Sequence, residues 1–273
     1  MKQLIFSLIL LTGFQFTTVS ANPDPAAISS QADSAGSANN KKTSVTLTWG
    51  RGERTSSDTI RTKSKAPGVS YGLTLSRFDL GFSKLVDNGS FTLSDQNSFL
   101  DYHGWKTSTV GFDILQFGYR FNSNFKIYLS GGFDWTHIRL RRDITIRQDA
   151  PTLQYDESDI DFDKNRFSST YIRLPLSFEW RSKDNDRGKR FRIIAGPDFG
   201  FLLNGKVKQK SDENGKQKFN DNYHFTKFRY GGFARLGYGS TGIFAKYYLN
   251  DMFENSPAQE GLQNMSFGVT FGF

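Results

Sequence analysis

The 273-residue chain contains no cysteine, only three histidines and three methionines, and beyond its first twenty-odd residues no long apolar run. Each absence excludes something. Without cysteine the chain has no disulfide framework, no thiol nucleophile, no thiolate metal set and no cysteine for lipid attachment near an export site. A helix that crosses a bilayer needs about 20 consecutive apolar residues, and no such run is found. Nor does any stretch repeat its apolar residues at a helical period. The mean hydropathy of −0.52 matches a soluble protein, but a membrane barrel places its apolar residues at alternate positions and keeps the average low, so this value does not discriminate.

What is present is aromatic and basic. Phe, Trp and Tyr make up 15% of the chain, with 27 Phe, and the net charge is +8. The continuous apolar segment lies at the start: Lys2, then residues 4–16 interrupted mainly by Ser7, Thr12, Gly13 and Gln15, then Val19-Ser20-Ala21. A charged start, a short apolar stretch and a small-residue site ending at Ala21 read as a cleaved secretory signal peptide over 1–21. Loss of Lys2 with it takes the charge from +8 to +7. That excess suits anionic lipid head groups; export argues against nucleic acid. Residues 22–43 mix Pro, Ala, Ser, Asp and Asn without periodicity and read as a flexible periplasmic leader. Residues 44–273 then form one domain, with the barrel core over 70–273.

Residues 265–273 set the architecture. Met265, Phe267, Val269, Phe271 and Phe273 alternate with Ser266, Gly268, Thr270 and Gly272. One face is apolar and the other small, as for a strand whose outer face meets lipid. The pattern resembles the C-terminal signal strand of Gram-negative outer-membrane barrels. The resemblance implies that Phe267, Val269, Phe271 and Phe273 are read by the barrel-assembly machinery.

Seven further alternating segments precede it. They fall at 70–85, 108–121, from 125 to beyond 135, and at 171–181, 191–204, 227–238 and 243–250. The second changes phase near Asp113, which marks a bulge. Pro175 lies within the fourth, although proline removes a ladder hydrogen bond. Short turns at Asn122, 183–189 and Ser240 alternate with long connections at 86–107, 143–169, 206–225 and 254–264. This is the outer-membrane pattern of short periplasmic turns and long external loops. The expected fold is an all-β, antiparallel up-and-down transmembrane barrel of eight strands, or ten if Val45–Trp49 and Tyr71–Leu75 each span separately.

The inward phase collects charge. Asp79, Asp113, Asp134, Glu179 and Asp198 share it with Arg120, Lys126, Arg173, Arg192, Arg229, Arg235 and Lys246; Asn204 falls on the same face. An eight-stranded barrel is only wide enough for side chains to fill it, so these charges are expected to pair and plug the interior. Other chemistry is sparse. His103, with Asp101 and Ser98 or Ser108, supplies the residue types of a rim hydrolase but no motif. His137 sits in the lipid-facing phase above Trp135, and His224 near a loop end. The acids Asp149, Asp156, Glu157, Asp159, Asp161 and Asp163 fail the calcium-loop pattern, because counting from Asp159 places Lys164 sixth and Thr170 twelfth. Ile160 and Phe162 between them point instead to a strand with one charged face. The next loop is basic, with Lys206, Lys208, Lys210, Lys216 and Lys218 around the hairpin signal Asn214-Gly215. The two loops are expected to pair with each other or to offer a docking surface for lipopolysaccharide phosphates or a partner protein. No catalytic residue, metal site or cofactor is assigned.

Several runs carry a family resemblance: Thr170-Tyr171-Ile172-Arg173-Leu174-Pro175-Leu176; Ile194-Ala195-Gly196-Pro197 with Gly200, Leu202 and Leu203; Arg235-Leu236-Gly237-Tyr238; and Tyr248-Leu249-Asn250-Asp251-Met252-Phe253. With Asp79-Leu80-Gly81-Phe82 and the Phe-rich final strand they resemble the PorT-like outer-membrane β-barrel family over residues 70–273. The resemblance accommodates Pro175 after its Arg-Leu pair. It implies an integral barrel; some relatives take part in secretion-system assembly or gliding, and the family carries no catalytic residue. The reading is therefore a non-enzymatic outer-membrane structural or assembly component acting through its external loops or its leader. The expected partners are membrane lipid, lipopolysaccharide and a periplasmic or outer-membrane protein. A rim enzyme on lipid or peptide, a small pore and a ligand-binding barrel are the alternatives.

Overall fold

The structure, a computed structural model, describes residues 67–183, 185 and 188–272, with the side chains of 74–76 outside the description. The expected signal peptide, the leader, the run at 45–49 and the terminal Phe273 lie outside the described residues. Alternating sequence produces eleven strands there: β1 Gly68–Asp87, β2 Ser108–Arg120, β3 Phe125–Arg139, β4 Ile144–Ile146, β5 Tyr155–Glu157, β6 Lys164–Arg181, β7 Phe191–Ser211, β8 Gly215–Asp221, β9 Phe228–Tyr238, β10 Thr241–Tyr248 and β11 Leu262–Phe271. Eight of them close an antiparallel ring in the order β1, β2, β3, β6, β7, β9, β10, β11 and back to β1. The closing pair sets Phe82 opposite Phe267 and Phe78 opposite Phe271. Pairing β11 with β1 over residues 78–87 closes the eight-stranded ring, as a strand fold in lipid requires; β8, which pairs with β7 alone, extends beyond it. The first alternation is one strand, not two: β1 pairs with β2 both before and after a register shift between Leu73 and Arg77, so the segment Tyr71–Leu75 does not span separately.

Alternation becomes two surfaces. Leu115, Phe117, Leu129, Phe178, Ile193, Phe201, Leu236, Ile243 and Val269 stand exposed on the outside, Phe117 to 63%. Aromatic residues gather at the short-turn end (Tyr119, Phe121, Phe125, Trp180, Phe191, Tyr238), where interfacial rings sit on membrane barrels. The phase changes expected in β2 are a register shift between Asp113 and Leu115. A further bulge between β6 and β7 was not anticipated: Thr170 pairs with Asn204 and Tyr171 with Leu202. The extra residue, Leu203, inverts the phase. Asn204 therefore faces outward, where its amide donates to Asn220. Beyond it Val207 and Gln209 turn inward while Lys206, Lys208 and Lys210 turn out.

The four long connections are packed together. Their apolar residues converge on one core above the lumen: Leu85 of β1; Phe99, Leu100 and Tyr102 of the first connection; Ile138 and Leu140 at the end of β3; Ile144, Ile146 and Leu153 of the second connection. Phe167 of β6, Val207 of β7, Tyr223 and Phe225 of the third connection, and Met252, Phe253 and Leu262 of the fourth complete it. The Phe167 ring stacks on Phe225 at 4.7 Å and lies 5.5 Å from Tyr223, edge-on. Consecutive left-handed residues, Tyr223 (φ 48°) and His224 (φ 55°), bend the chain so that Tyr223 and Phe225 both enter this core. Polar bonds tie the connections across one another. The Leu153 amide donates to Ser256 Oγ (3.0 Å), the Asp149 amide to Asp221 Oδ2 (3.1 Å) and His224 Nε2 to the Ala150 carbonyl (2.7 Å). Asp87, beyond the last lipid-facing side chain of β1, accepts from the Ser94 amide and hydroxyl (2.7 Å each) and from Asn97 (2.9 Å), which folds residues 88–100 over the rim. The acidic stretch departs from its expected form: the strand there is only β5, paired to β4, and residues 158–163 form none.

Truncating Phe167 to alanine removes a side chain of 0% exposure from the centre of the cap, at an expected cost of about 3–5 kcal/mol. Hydrogen exchange and limited proteolysis should then accelerate across 88–107, 140–163 and 222–226. The barrel itself should keep its heat-modifiable mobility in SDS, because the lumen network lies on the other side of the rim.

Candidate functional site

The lumen holds the charged cluster, whose members come from inward positions on seven of the eight ring strands. Asp79 (β1), Asp113 (β2), Asp134 (β3), Arg173 (β6), Asp198 (β7), Arg229 and Arg235 (β9), and Lys246 (β10) are all at most 6% exposed. Arg173 is the hub. Its Nε donates to Asp113 Oδ1 (2.7 Å) and its Nη1 to Asp79 Oδ2 (2.9 Å), with Asp134 Oδ1 3.8 Å away. Arg235 donates to the same Asp79 oxygen (2.7 Å). On the other side of Asp134, Arg229 reaches Oδ2 and Lys246 reaches Oδ1, both at 2.5 Å. Two glycines make the room: a Cβ on Gly111 would stand 2.4 Å from Arg173 Nη1, and one on Gly200 would stand 2.7 Å from Arg229 Nε. Aromatic rings fill the rest, the Arg229 guanidinium lying 3.8 Å from the Tyr171 ring centre and 4.1 Å from that of Tyr248.

Toward the short turns lies a second, looser group. Lys126 and Glu179 are direct cross-strand partners, and Glu179 accepts from Arg181 Nε at 2.6 Å. Arg120 and Arg192 are half-buried at this end, where Glu179 is the nearby acid. Between the network and the cap a cavity of about 20 Å³ remains, lined by Thr136, Ser169, Tyr171, Arg229 and Tyr248 among others. It is room for about one water molecule.

Three participants escaped the sequence reading. Arg77 lies 3.7 Å from Asp113 Oδ2 and over the Tyr128 ring, and Tyr248 donates to Asp198 Oδ2 at 3.2 Å. Arg77 follows the β1 register shift, where alternation loses its phase. Position parity put Tyr128, Tyr171 and Tyr248 on the inner face, but the expected network was drawn from the charged residues alone.

Two of the residue types of a rim hydrolase, Asp101 and Ser98, bond to neighbours in the first connection. Asp101 caps the Tyr102 amide (2.8 Å) and lies 3.5 Å from Arg141, Ser98 Oγ donates to the Asp95 carbonyl, and the His103 amide donates to Arg139. Ser108 pairs with His137 on the outward face. The acids of the second connection meet bases one at a time: Glu157 with Arg142, Asp156 with Arg147 (3.3 Å) and Asp163 with Lys210 (2.7 Å). The last of these joins the acidic loop to the basic hairpin.

Replacing Arg173 with methionine leaves Asp113 buried without the guanidinium that bonds it and Asp79 with Arg235 alone. Breaking a buried ion network in this way costs about 3–5 kcal/mol, to be read as a lower urea midpoint of the refolded protein in detergent micelles. Adding Asp113→Asn to Arg173→Met should recover part of the loss, because the second change removes one of the stranded charges.

Residues 68–254 match the family described as outer membrane protein beta-barrel domain. A search among curated proteins gives no match. Among solved structures the chain is similar to Ail, the attachment invasion locus protein of Yersinia pestis, with 14% identity over 75% of this chain and 97% of that one and a TM-score of 0.31. The same protein in complex with the heparin analogue sucrose octasulfate gives a TM-score of 0.30 at the same identity and coverage. With an eight-stranded closed ring, an apolar exterior and a family match over more than half its length, the chain belongs to the outer membrane protein beta-barrel domain family and is an integral protein of the outer membrane.

Proposed function

We propose that the protein is a structural or assembly component of the outer membrane, neither an enzyme nor a conducting pore, whose working surface is the cap of external loops. The observation that carries this reading is the shared apolar core of those loops. Loops free of a task need not be ordered, whereas a surface that docks a partner gains affinity when its shape is set beforehand. The lumen supports the same reading. Its charged side chains meet each other across the axis, so an ion would have to break several charge-assisted bonds to pass.

In this proposal residues 1–21 direct export, and the β11 residues Phe267, Val269 and Phe271, with Phe273, engage the barrel-assembly machinery. The cap or the 22–43 leader then contacts a periplasmic or outer-membrane protein. The PorT-like resemblance favours a secretion or motility apparatus as the setting. Lipid and lipopolysaccharide surround the apolar exterior.

Two measurements test the proposal. A photo-crosslinking amino acid at Phe91, 63% exposed on the first external connection, is expected to trap one protein partner at near-stoichiometric yield in intact cells. Recovery of lipid alone from that position would remove the support for a docking cap. In planar bilayers the full mature chain is expected to give no stepwise current, and discrete conductance steps would overturn the closed-lumen reading.

A further inference from the structure

Above the lipid belt, β3, β6, β7 and β8 continue as a four-stranded sheet. One face of it packs on the cap core through Ile138, Phe167, Val207 and Phe219. The other face looks sideways, away from the barrel axis, and its registers align residues in rows. Trp135, Thr170 and Asn204 form the row at the edge of the belt. The next holds His137, Ser168, Lys206 and Asn220. Then come Arg139, Arg166, Lys208 and Lys218 side by side on four neighbouring strands, followed by Lys164, Lys210 and Lys216.

Like charges directly opposite one another on a sheet are destabilising, and here they are stacked two rows deep. Among the described residues few acids answer them: Asp163 pairs with Lys210 at 2.7 Å and its carbonyl accepts from Arg139, and Asp212 lies near Lys210. The crowding is felt. The Lys208 ammonium is drawn below the ordinary lysine range, chiefly by Lys216, with burial, Arg166, Lys164 and Lys218 adding to it. Arg166 Nε is buried with no hydrogen-bond partner among the described residues. A sheet face of this kind is relieved by anions lying among the cations.

Depth identifies the anion. Each register row lies two residues beyond the last, about 7 Å along the strand. This puts Lys206 about 7 Å and the row of Arg139, Arg166, Lys208 and Lys218 about 14 Å along the tilted strands from Trp135, close enough for long basic side chains to reach back toward the head groups. The polar head-group layer occupies the first several ångströms outside the hydrocarbon. We propose that this face binds the phosphate groups of outer-leaflet lipid, clamping phosphorylated lipopolysaccharide head groups against β3, β6, β7 and β8. Because the face is sideways and continuous with the lipid belt, it meets the leaflet rather than the medium. The inference is independent of which protein docks on the cap.

The test uses the full mature chain refolded in a neutral detergent and heated with bisphosphorylated lipid A, with its dephosphorylated counterpart, or with soluble hexametaphosphate. Unfolding is followed by loss of heat-modifiable mobility. Phosphorylated lipid A is expected to raise the unfolding temperature by several degrees, an effect that 0.5 M salt weakens and that the dephosphorylated lipid does not reproduce. The triple variant Arg166→Gln, Lys208→Gln, Lys218→Gln should lose most of that rise and bind the lipid at least tenfold more weakly. In neutral detergent alone it should be no less stable than the parent, since like-charge contacts have been removed. Lys189→Gln, at the short-turn end, should keep the full rise. If the triple variant does not fold, the single Lys208→Gln carries the comparison. An undiminished rise in the variant, or equal rises with and without lipid phosphate, would overturn the proposal. A rise from hexametaphosphate that matches and competes with lipid A would overturn it in favour of a soluble polyanion site.

Discussion

Closing β11 onto β1 is the constraint on which the rest of the molecule depends. Inside hydrocarbon an unpaired backbone N–H or C=O costs several kcal/mol, so a strand fold can cross only when every edge is joined. The ring meets that demand with eight strands. Two consequences follow at once. Successive residues must face lipid and lumen in turn, and the lumen of so small a ring is narrow enough for side chains to fill. The charges of Asp79, Asp113, Asp134, Arg173, Arg229, Arg235 and Lys246 are therefore held close together, each buried ion facing a partner of opposite sign.

The lumen and cap solve opposite solvation problems with the same strands. Within the membrane the lipid takes the apolar face and the lumen takes the charge. Above the membrane the surroundings are aqueous, and the apolar residues turn to the inside. The exchange is made by local phase changes. The extra residue at Leu203 sends Val207 inward to Phe167 and turns Lys206, Lys208 and Lys210 outward. One bulge thus exchanges the apolar outer face of the strand for a basic one while the backbone ladder continues. The loops then close over Leu85, Phe167 and Leu262 because those side chains would otherwise face water at the open end.

How much of this was legible depended on whether a feature is periodic along the chain. In β6, Ile172, Phe178 and Trp180 alternate with Arg173 and Glu179 without interruption, and parity alone assigned the faces. In β1 the shift between Leu73 and Arg77 breaks that parity, so Arg77 was overlooked although it lies beside Asp113. The cap was invisible for a related reason. Ile144, Ile146, Leu153, Tyr223 and Met252 are scattered through polar stretches with no repeat, and nothing local marks them as neighbours. The acidic stretch misled because the spacing of Ile160 and Phe162 imitates a strand where the chain has no ladder partner.

The amino-acid sequence by itself determined an antiparallel barrel of eight or ten strands, the alternation of short and long connections, and which side meets lipid wherever a strand keeps its phase. These follow from a two-residue period that any strand in a bilayer must obey. Only the tertiary structure decided which charges meet, because pairing depends on register and stagger between strands that lie far apart in the chain. Asp79 and Arg235 share a hydrogen bond across 156 residues. It likewise decided that the long connections form one cap, and that Arg139, Arg166, Lys208 and Lys218 stand in one row. Such rows exist only across a sheet, and no property read along a single strand contains them.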